Sequence, residues 1–244
     1  MKYTTTTTNV QADGTETVRG QPLKDIIRER TFSETIFLML TTRFPSEAER
    51  KMVDAMLSSI IDNGPAVTSA QCARLSASAG NSMHTALAAG ILGFGERHGV
   101  ALEAGMHFLL DNADVGDVAA LVQGLKEKKV RIPGYGHKVF TNEDPRSTVL
   151  FEKATALGIA GKYVAFAKSV HTEINAISSK TLPLNIDGAL AALLCDMGFD
   201  PALGKGFFII GRMPGLVAQV HEEMKNDVGI RRLSPEDIAY ADPA

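Results

Sequence analysis

After about residue 19 every segment of this sequence reads as helix, which restricts the chain to a mainly α fold. Thr31-Phe32-Ser33-Glu34 and Ser46-Glu47-Ala48-Glu49 both fit the capping box, in which a hydroxyl and a carboxylate satisfy two amides at a helix start. Pro22 suits a first helical turn, and Asp62-Asn63-Gly64-Pro65 breaks the chain. Small-residue helices are expected over 69–79 and 83–97, with Gly90, Gly93 and Gly95 allowing another backbone to come close. Further helices are expected near 100–111, 115–129, 145–157, 161–177, 187–197 and 214–226. Before them, the Thr- and Val-rich stretch 3–19 around Asp13-Gly14 predicts a short hairpin, since Asp-Gly supports a tight turn.

With 244 residues, 45% of them hydrophobic, the chain can bury a core in one domain or in a domain plus a lobe. A net charge of −3 without a long block of one sign argues against nucleic acid or an anionic membrane as partner. The run Ala86 to Gly95 is too short to span a bilayer and reads as a buried helix. Cys72 and Cys195 lie in apolar helical patterns and are expected to be buried thiols. With no signal peptide apparent at the polar N-terminus, the expectation is a reducing, cytoplasmic setting.

The segment 133–212 carries the chemistry. It holds Pro133-Gly134-Tyr135-Gly136-His137, then Asp144-Pro145-Arg146, then Asn185-Ile186-Asp187-Gly188, then Gly211-Arg212. A histidine in a Gly-rich turn, a turn arginine, an aspartate entering an apolar helix and a second arginine suit work on a small polycarboxylate. Each has a plainer alternative. His137 could be a polar loop residue and His98 a cation at a helix C-terminus. Asp187 could be an N-cap, Arg146 a surface residue of a first turn, and Arg212 the solvated end of an apolar run. His84, His107, His171 and His221 are read as structural or surface residues. His221-Glu222-Glu223 lacks the second histidine of a zinc-protease helix, there is no Walker loop, and no metal is expected.

In their order and separations, several motifs together resemble the citrate synthase superfamily, and within it the citryl-CoA lyases and the citrate-cleaving module of ATP-citrate lyase. They are Arg19 to Leu23, Asp62 to Pro65, Ala89 to Gly99, Pro133 to His137, Asp144 to Arg146, Asn185 to Gly188 and Gly211 to Ala218. The resemblance covers roughly 18–232. It implies a helical fold of a large and a small lobe as one domain over 1–244, the small lobe being inserted at about 132–212. It also implies a homodimer or larger even assembly, no tightly bound cofactor, and a coenzyme A thioester as substrate.

Under the resemblance, Asp187 is the base for the acetyl methyl group, and partial desolvation would raise its pKa toward a useful value. His98 hydrogen-bonds the thioester oxygen of the enol; losing one such donor costs about 3 to 4 kcal/mol of barrier. His137 contacts the ketone oxygen of oxaloacetate and acts as general base on the citryl hydroxyl during cleavage. Arg146 and Arg212 clamp carboxylates, and Arg231 or Arg232 comes from a neighbouring subunit. The backbone of Pro133, Gly134, Tyr135 and Gly136 is implied as the contact for coenzyme A.

Two positions depart from the family pattern. Asn63 stands where a substrate-binding histidine is usual and cannot carry positive charge. Val100 stands where a second glycine is common, and its branched side chain would crowd the thioester pocket. The expected function is cleavage of citryl-CoA to acetyl-CoA and oxaloacetate. The alternatives are the reverse condensation followed by thioester hydrolysis, and a non-catalytic or regulatory subunit.

Overall fold

The computed structural model describes residues 2–96, 98–99, 101–137 and 139–241; Val100 lies outside them. The chain divides into two compact units, one of residues 1–59 and 100–208, the other of 60–99 and 209–244.

The first unit opens with an antiparallel sheet in the order β1 (Thr8–Val10), β2 (Glu16–Val18), β3 (Gln21–Pro22). The expected hairpin is its first half, with Thr8 opposite Val18 and Gly14 at φ +82° in the turn. A second two-residue turn follows, because Arg19 (φ 49°) and Gly20 (φ 78°) both adopt the left-handed conformation. The Arg19 guanidinium is fixed there by donating to Met39 O at 2.9 and 3.1 Å. Pro22 therefore ends a strand and caps α1 (Leu23–Glu29) rather than sitting inside that helix.

Both capping boxes form. Thr31 starts α2 (Phe32–Thr41), with Glu34 Oε2 accepting from its amide at 2.8 Å; Ser46 and Glu49 do the same for α3 (Glu47–Ser59) at 2.7 Å. The unit continues with α6 (Ala101–Asn112), α7 (Val118–Glu127), α8 (Pro145–Ala156), α9 (Lys162–Ile177) and α10 (Ile186–Asp196). Helix α10 is the core: every residue from Gly188 to Cys195 is buried, as befits a helix apolar on all sides, with α6, α8 and α9 packed around it. Burial pushes the Cys195 thiol up to about 12.

In the second unit α4 (Thr68–Ser78) and α5 (Met83–Leu92) pack together through small residues. A Cβ on Gly90 would lie 3.0 Å from that of Ala73, so glycine sets the helix spacing. Ala70, Ala73, Ala77 and Ala86 form a core with Leu216 and Val220 of α11 (Gly204–Asn226). Helix α5 stops at Leu92 instead of running to 97, and it is not the buried helix its composition suggested. Its packed face is Ala86 and Gly90, while Leu92 is 84% exposed. Cys72 is half-buried, not buried. Helix α11 begins ten residues before Pro214 and runs through it, forgoing the hydrogen bond proline cannot donate, because buried Phe207, Phe208, Leu216 and Val220 hold both flanks. Among the described residues, no helix is long and apolar enough to cross a membrane.

Candidate active site

The first unit brings His137, Arg146 and Asp187 to the junction of one loop and two helix starts. Gly134 sits at φ +89° with its backbone against Gly188, and a Cβ on either residue would come within 2.6 Å of the other's backbone. Only a glycine pair permits this approach. It lets Asn185 N donate to Gly134 O (2.9 Å), Gly136 N to Pro183 O (2.7 Å) and Asn185 Nδ2 to Gly136 O (2.7 Å). Asn185 Oδ1 also accepts from Gly188 N (3.1 Å), so Asn185 rather than Asp187 is the N-cap of α10, and Asp187 lies half-buried in the first turn.

Tyr135 is buried, and its hydroxyl donates to Ala167 O at 2.9 Å. The backbone groups at 134 and 136, implied as contacts for coenzyme A, are thus largely engaged within the protein. Pro133 and Gly136 remain half-exposed.

His137 follows this anchored loop. Its Nδ1 accepts from the amides of Val139 and Phe140, both at 3.0 Å, so the neutral ring carries its proton on Nε2. Burial holds its pKa below the ordinary histidine value; Asp144 raises it and Arg146 lowers it. The ring therefore presents a donor, which fits contact with a substrate oxygen better than the general-base role.

Phe140 lies 4.7 Å from the His137 ring and 5.5 Å from the Arg146 guanidinium, spacing the two. Asp144, 1% exposed, caps α8 and accepts from Arg146 N (3.1 Å), Nε (2.9 Å) and NH2 (2.8 Å) and from Ile186 N (3.0 Å). Burial drives its pKa up, but the bonds to Arg146 and Ile186 outweigh this and hold it below the usual carboxylate range. One carboxylate thus aims Arg146 and fixes the amide next to Asp187.

The second unit contains His98, Asn63, Arg212, Arg231 and Arg232. His98 is not at a helix C-terminus. It lies in a tight turn where His98 N donates to Gly95 O (2.7 Å) and Gly95 N to His98 O (3.0 Å), with Gly99 at φ +75°. Its ring stacks on Phe94 at 5.2 Å, and Nε2 meets Ser69 Oγ at 2.9 Å. Burial, then the charge of Arg212, lowers its pKa, so His98 is neutral at physiological pH.

Arg212 is an interior residue of α11, 2% exposed, and Nε donates to Ile60 O at 2.6 Å. One turn on, a Cβ on Gly215 would collide with Ile61 O, and Gln219 donates to Asp62 Oδ2 at 3.1 Å. This face of α11 anchors the turn that exposes Asn63. Buried Glu223 pairs with Arg74 (2.8 Å) and takes Arg231 in two bonds of 2.5 and 2.9 Å, which hold its pKa down; Arg232 is exposed.

Sequence reasoning singled out the motif of Asp144 without giving that residue a role, and missed Ser69 and Phe140 as parts of these sites. Asp144 had a signal, since Asp before Pro is an N-cap pattern. Ser69 had none, because its partner is remote in sequence.

A profile of the family described as "Citrate synthase, C-terminal domain" matches residues 20–233. The probable ATP-citrate synthase of Dictyostelium discoideum is 27% identical over 240 residues, covering 91% of this chain and 38% of that protein. Citrate synthase 2 of Bacillus subtilis is 32% identical over 138 residues, 56% of this chain and 37% of that protein. The chain spans less than half the length of these curated relatives. Among solved structures, citryl-CoA lyase from Hydrogenobacter thermophilus has a TM-score of 0.94 at 42% identity, over 99% of this chain and 95% of that one. ATP citrate lyase from Methanothrix soehngenii, solved with citrate and coenzyme A, has a TM-score of 0.88 at 25% identity, over 100% of this chain and 42% of that one. A mainly helical fold with glycine-spaced helix packing, near end-to-end superposition on a solved citryl-CoA lyase, and a family match running from residue 20 to 233 agree: the chain belongs to the citrate synthase family.

Proposed function

We propose that this protein cleaves citryl-CoA to acetyl-CoA and oxaloacetate. The observation that carries the reading is the likeness to the Hydrogenobacter thermophilus citryl-CoA lyase along 95% of that chain. The local chemistry supports it. In cleavage the citryl hydroxyl loses its proton to water and becomes a ketone. The carbon–carbon bond breaks, its electron pair passes to the thioester oxygen as an enolate, and a proton is returned to carbon to give the acetyl methyl group.

The roles follow from what each group can do. His137 Nε2–H donates to the hydroxyl oxygen and stabilises the alkoxide that precedes bond breaking. His98, neutral, hydrogen-bonds the enolate oxygen, with Ser69 orienting the ring. Asp187 in its acid form returns the proton to carbon and is reprotonated from water; in the reverse direction its carboxylate removes the proton. Arg146, aimed by Asp144, and Arg212 hold carboxylates.

In an assembly of two or more copies, we assign Arg232 as the arginine supplied by the neighbouring copy, since Arg231 is taken by Glu223. For coenzyme A we retain Pro133 and Gly136 as contacts, and we assign Gly134 and Tyr135 to holding the loop. Exposed Asn63 replaces a charged contact by a neutral one.

The test uses two mixtures. Citryl-CoA should yield oxaloacetate and acetyl-CoA with no free thiol. Acetyl-CoA with oxaloacetate should yield no catalytic accumulation of free coenzyme A. Catalytic thiol release from the second mixture would make the protein a synthase, and ligand binding without turnover would make it a non-catalytic subunit.

A further inference from the structure

Outside the groups assigned to chemistry, one side chain of α9 grips the connector that leads into the loop and helix junction. Asn175 lies on α9, twelve residues before Asp187, and both ends of its amide are engaged. Nδ2 donates to His171 O (2.9 Å) and to Leu182 O (3.2 Å), and Oδ1 accepts from Leu182 N (2.8 Å). The two bonds to Leu182 grip both polar groups of one residue, so they fix the connector's rotation as well as its position. This is a two-point clamp.

From Leu182 the connector runs directly into the junction. Pro183 O takes Gly136 N, Leu184 pairs with Tyr135 as an isolated β-bridge, and Asn185 bonds Gly134 O and Gly136 O before capping α10. A Cβ on Gly136 would sit 3.5 Å from Leu182 Cδ2, so Leu182 is also in packing range of the loop. The loop ends on His137, and the helix begins one residue before Asp187, with Asn185 as its N-cap. Neither element has another side chain spanning from α9 to Leu182 in the hydrogen bonds described.

We infer that Asn175 is a positioning residue for His137 and Asp187, acting through the Leu182–Asn185 connector and touching no substrate itself. Its effect on turnover rests on the proposed lyase reading; its effect on the two segments does not. Misplacing a reacting group by about 1 Å costs roughly 100-fold, and losing the clamp displaces two groups by a fraction of that.

The experiment compares the wild type with Asn175→Ala in two readouts. Amide hydrogen exchange should quicken about tenfold or more in peptides covering 134–140 and 182–188, with α4 as an unchanged reference. In citryl-CoA cleavage, kcat should fall about 10- to 100-fold with KM within about threefold, because remote binding contacts are intact. Unchanged exchange in either segment overturns the inference whatever the substrate. Faster exchange with wild-type kcat also overturns it, leaving Asn175 a purely structural residue. A wild type inert toward citryl-CoA would instead sink the functional reading, and the exchange data would still decide whether Asn175 fixes both segments. If the alanine variant does not fold, Asn175→Asp keeps the acceptor for Leu182 N and should show the same pattern at about 3- to 10-fold in kcat.

Discussion

Gly188→Ala should destabilise the protein and nearly silence it, although helix propensity points the other way. Gly188 is inside α10 with no positive φ, so alanine there should by propensity gain about 0.5–1 kcal/mol. The added Cβ, however, would lie 2.6 Å from Gly134 O and 3.0 Å from Gly134 Cα, against an ordinary contact of 3.4 Å or more. The loop must retreat by about 0.8 Å, far up the repulsive wall.

That retreat stretches the 2.9 Å bond from Asn185 N to Gly134 O and the 2.7 Å bond from Gly136 N to Pro183 O. Overpacking costs about 1–3 kcal/mol and a weakened buried hydrogen bond about 1–3 more, so after the propensity gain the net should be about 1–5 kcal/mol of destabilisation. His137, three residues from Gly134, moves with the loop, which by itself should lower kcat about 100-fold. Urea unfolding and steady-state cleavage of citryl-CoA measure the two effects. Gly124→Ala in α7, where a new Cβ meets nothing within 4 Å, is the control and should stabilise by up to about 1 kcal/mol. A Gly188→Ala protein as stable and as active as the wild type would refute the close-approach argument.

Asp144→Ala leaves Ile186 N without an acceptor and Arg146 without its counter-charge, and should cost about 2–4 kcal/mol in urea unfolding; a loss below about 1 would show the network to be dispensable. Ser69→Ala should lower kcat roughly tenfold with little change in KM, because His98 loses the partner on Nε2; an unchanged kcat would remove Ser69 from the site. Since burial depresses the pKa of His98 and His137, their neutral forms persist below the ordinary histidine value of 6.5. The acid limb of kcat/KM assigned to them should therefore fall below pH 6.5. Stability contributed by their neutral burial is present above the unfolded value and is lost as pH falls toward the depressed folded values. An acid limb at or above pH 6.5, or stability that rises on acidification through this window, would contradict both.

The sequence was legible where local rules act alone. Both capping boxes, the Asp13-Gly14 hairpin and the starts of α5 and α8 follow from residues within a few positions of one another. It was less legible where distant contacts override local preference. Pro214 marks a helix start by propensity, yet burial on both sides carries α11 through it. The run 86–95 has the composition of a buried helix, but its small residues serve one face against α4. Of the candidate site, the histidines, the aspartate and Arg146 could be named from motifs. The groups that hold them could not, since Ser69 with His98, Asp144 with Ile186 and Asn175 with Leu182 are pairings visible only in three dimensions.

In the proposed mechanism an acetyl-CoA enolate is protonated by Asp187. Running citryl-CoA cleavage in deuterium oxide and weighing the acetyl-CoA formed reads out this step. A single solvent deuterium should enter the methyl group at each turnover, and Asp187→Asn should lose both turnover and label. Acetyl-CoA released without solvent label, or a fully active Asp187→Asn protein, would contradict it.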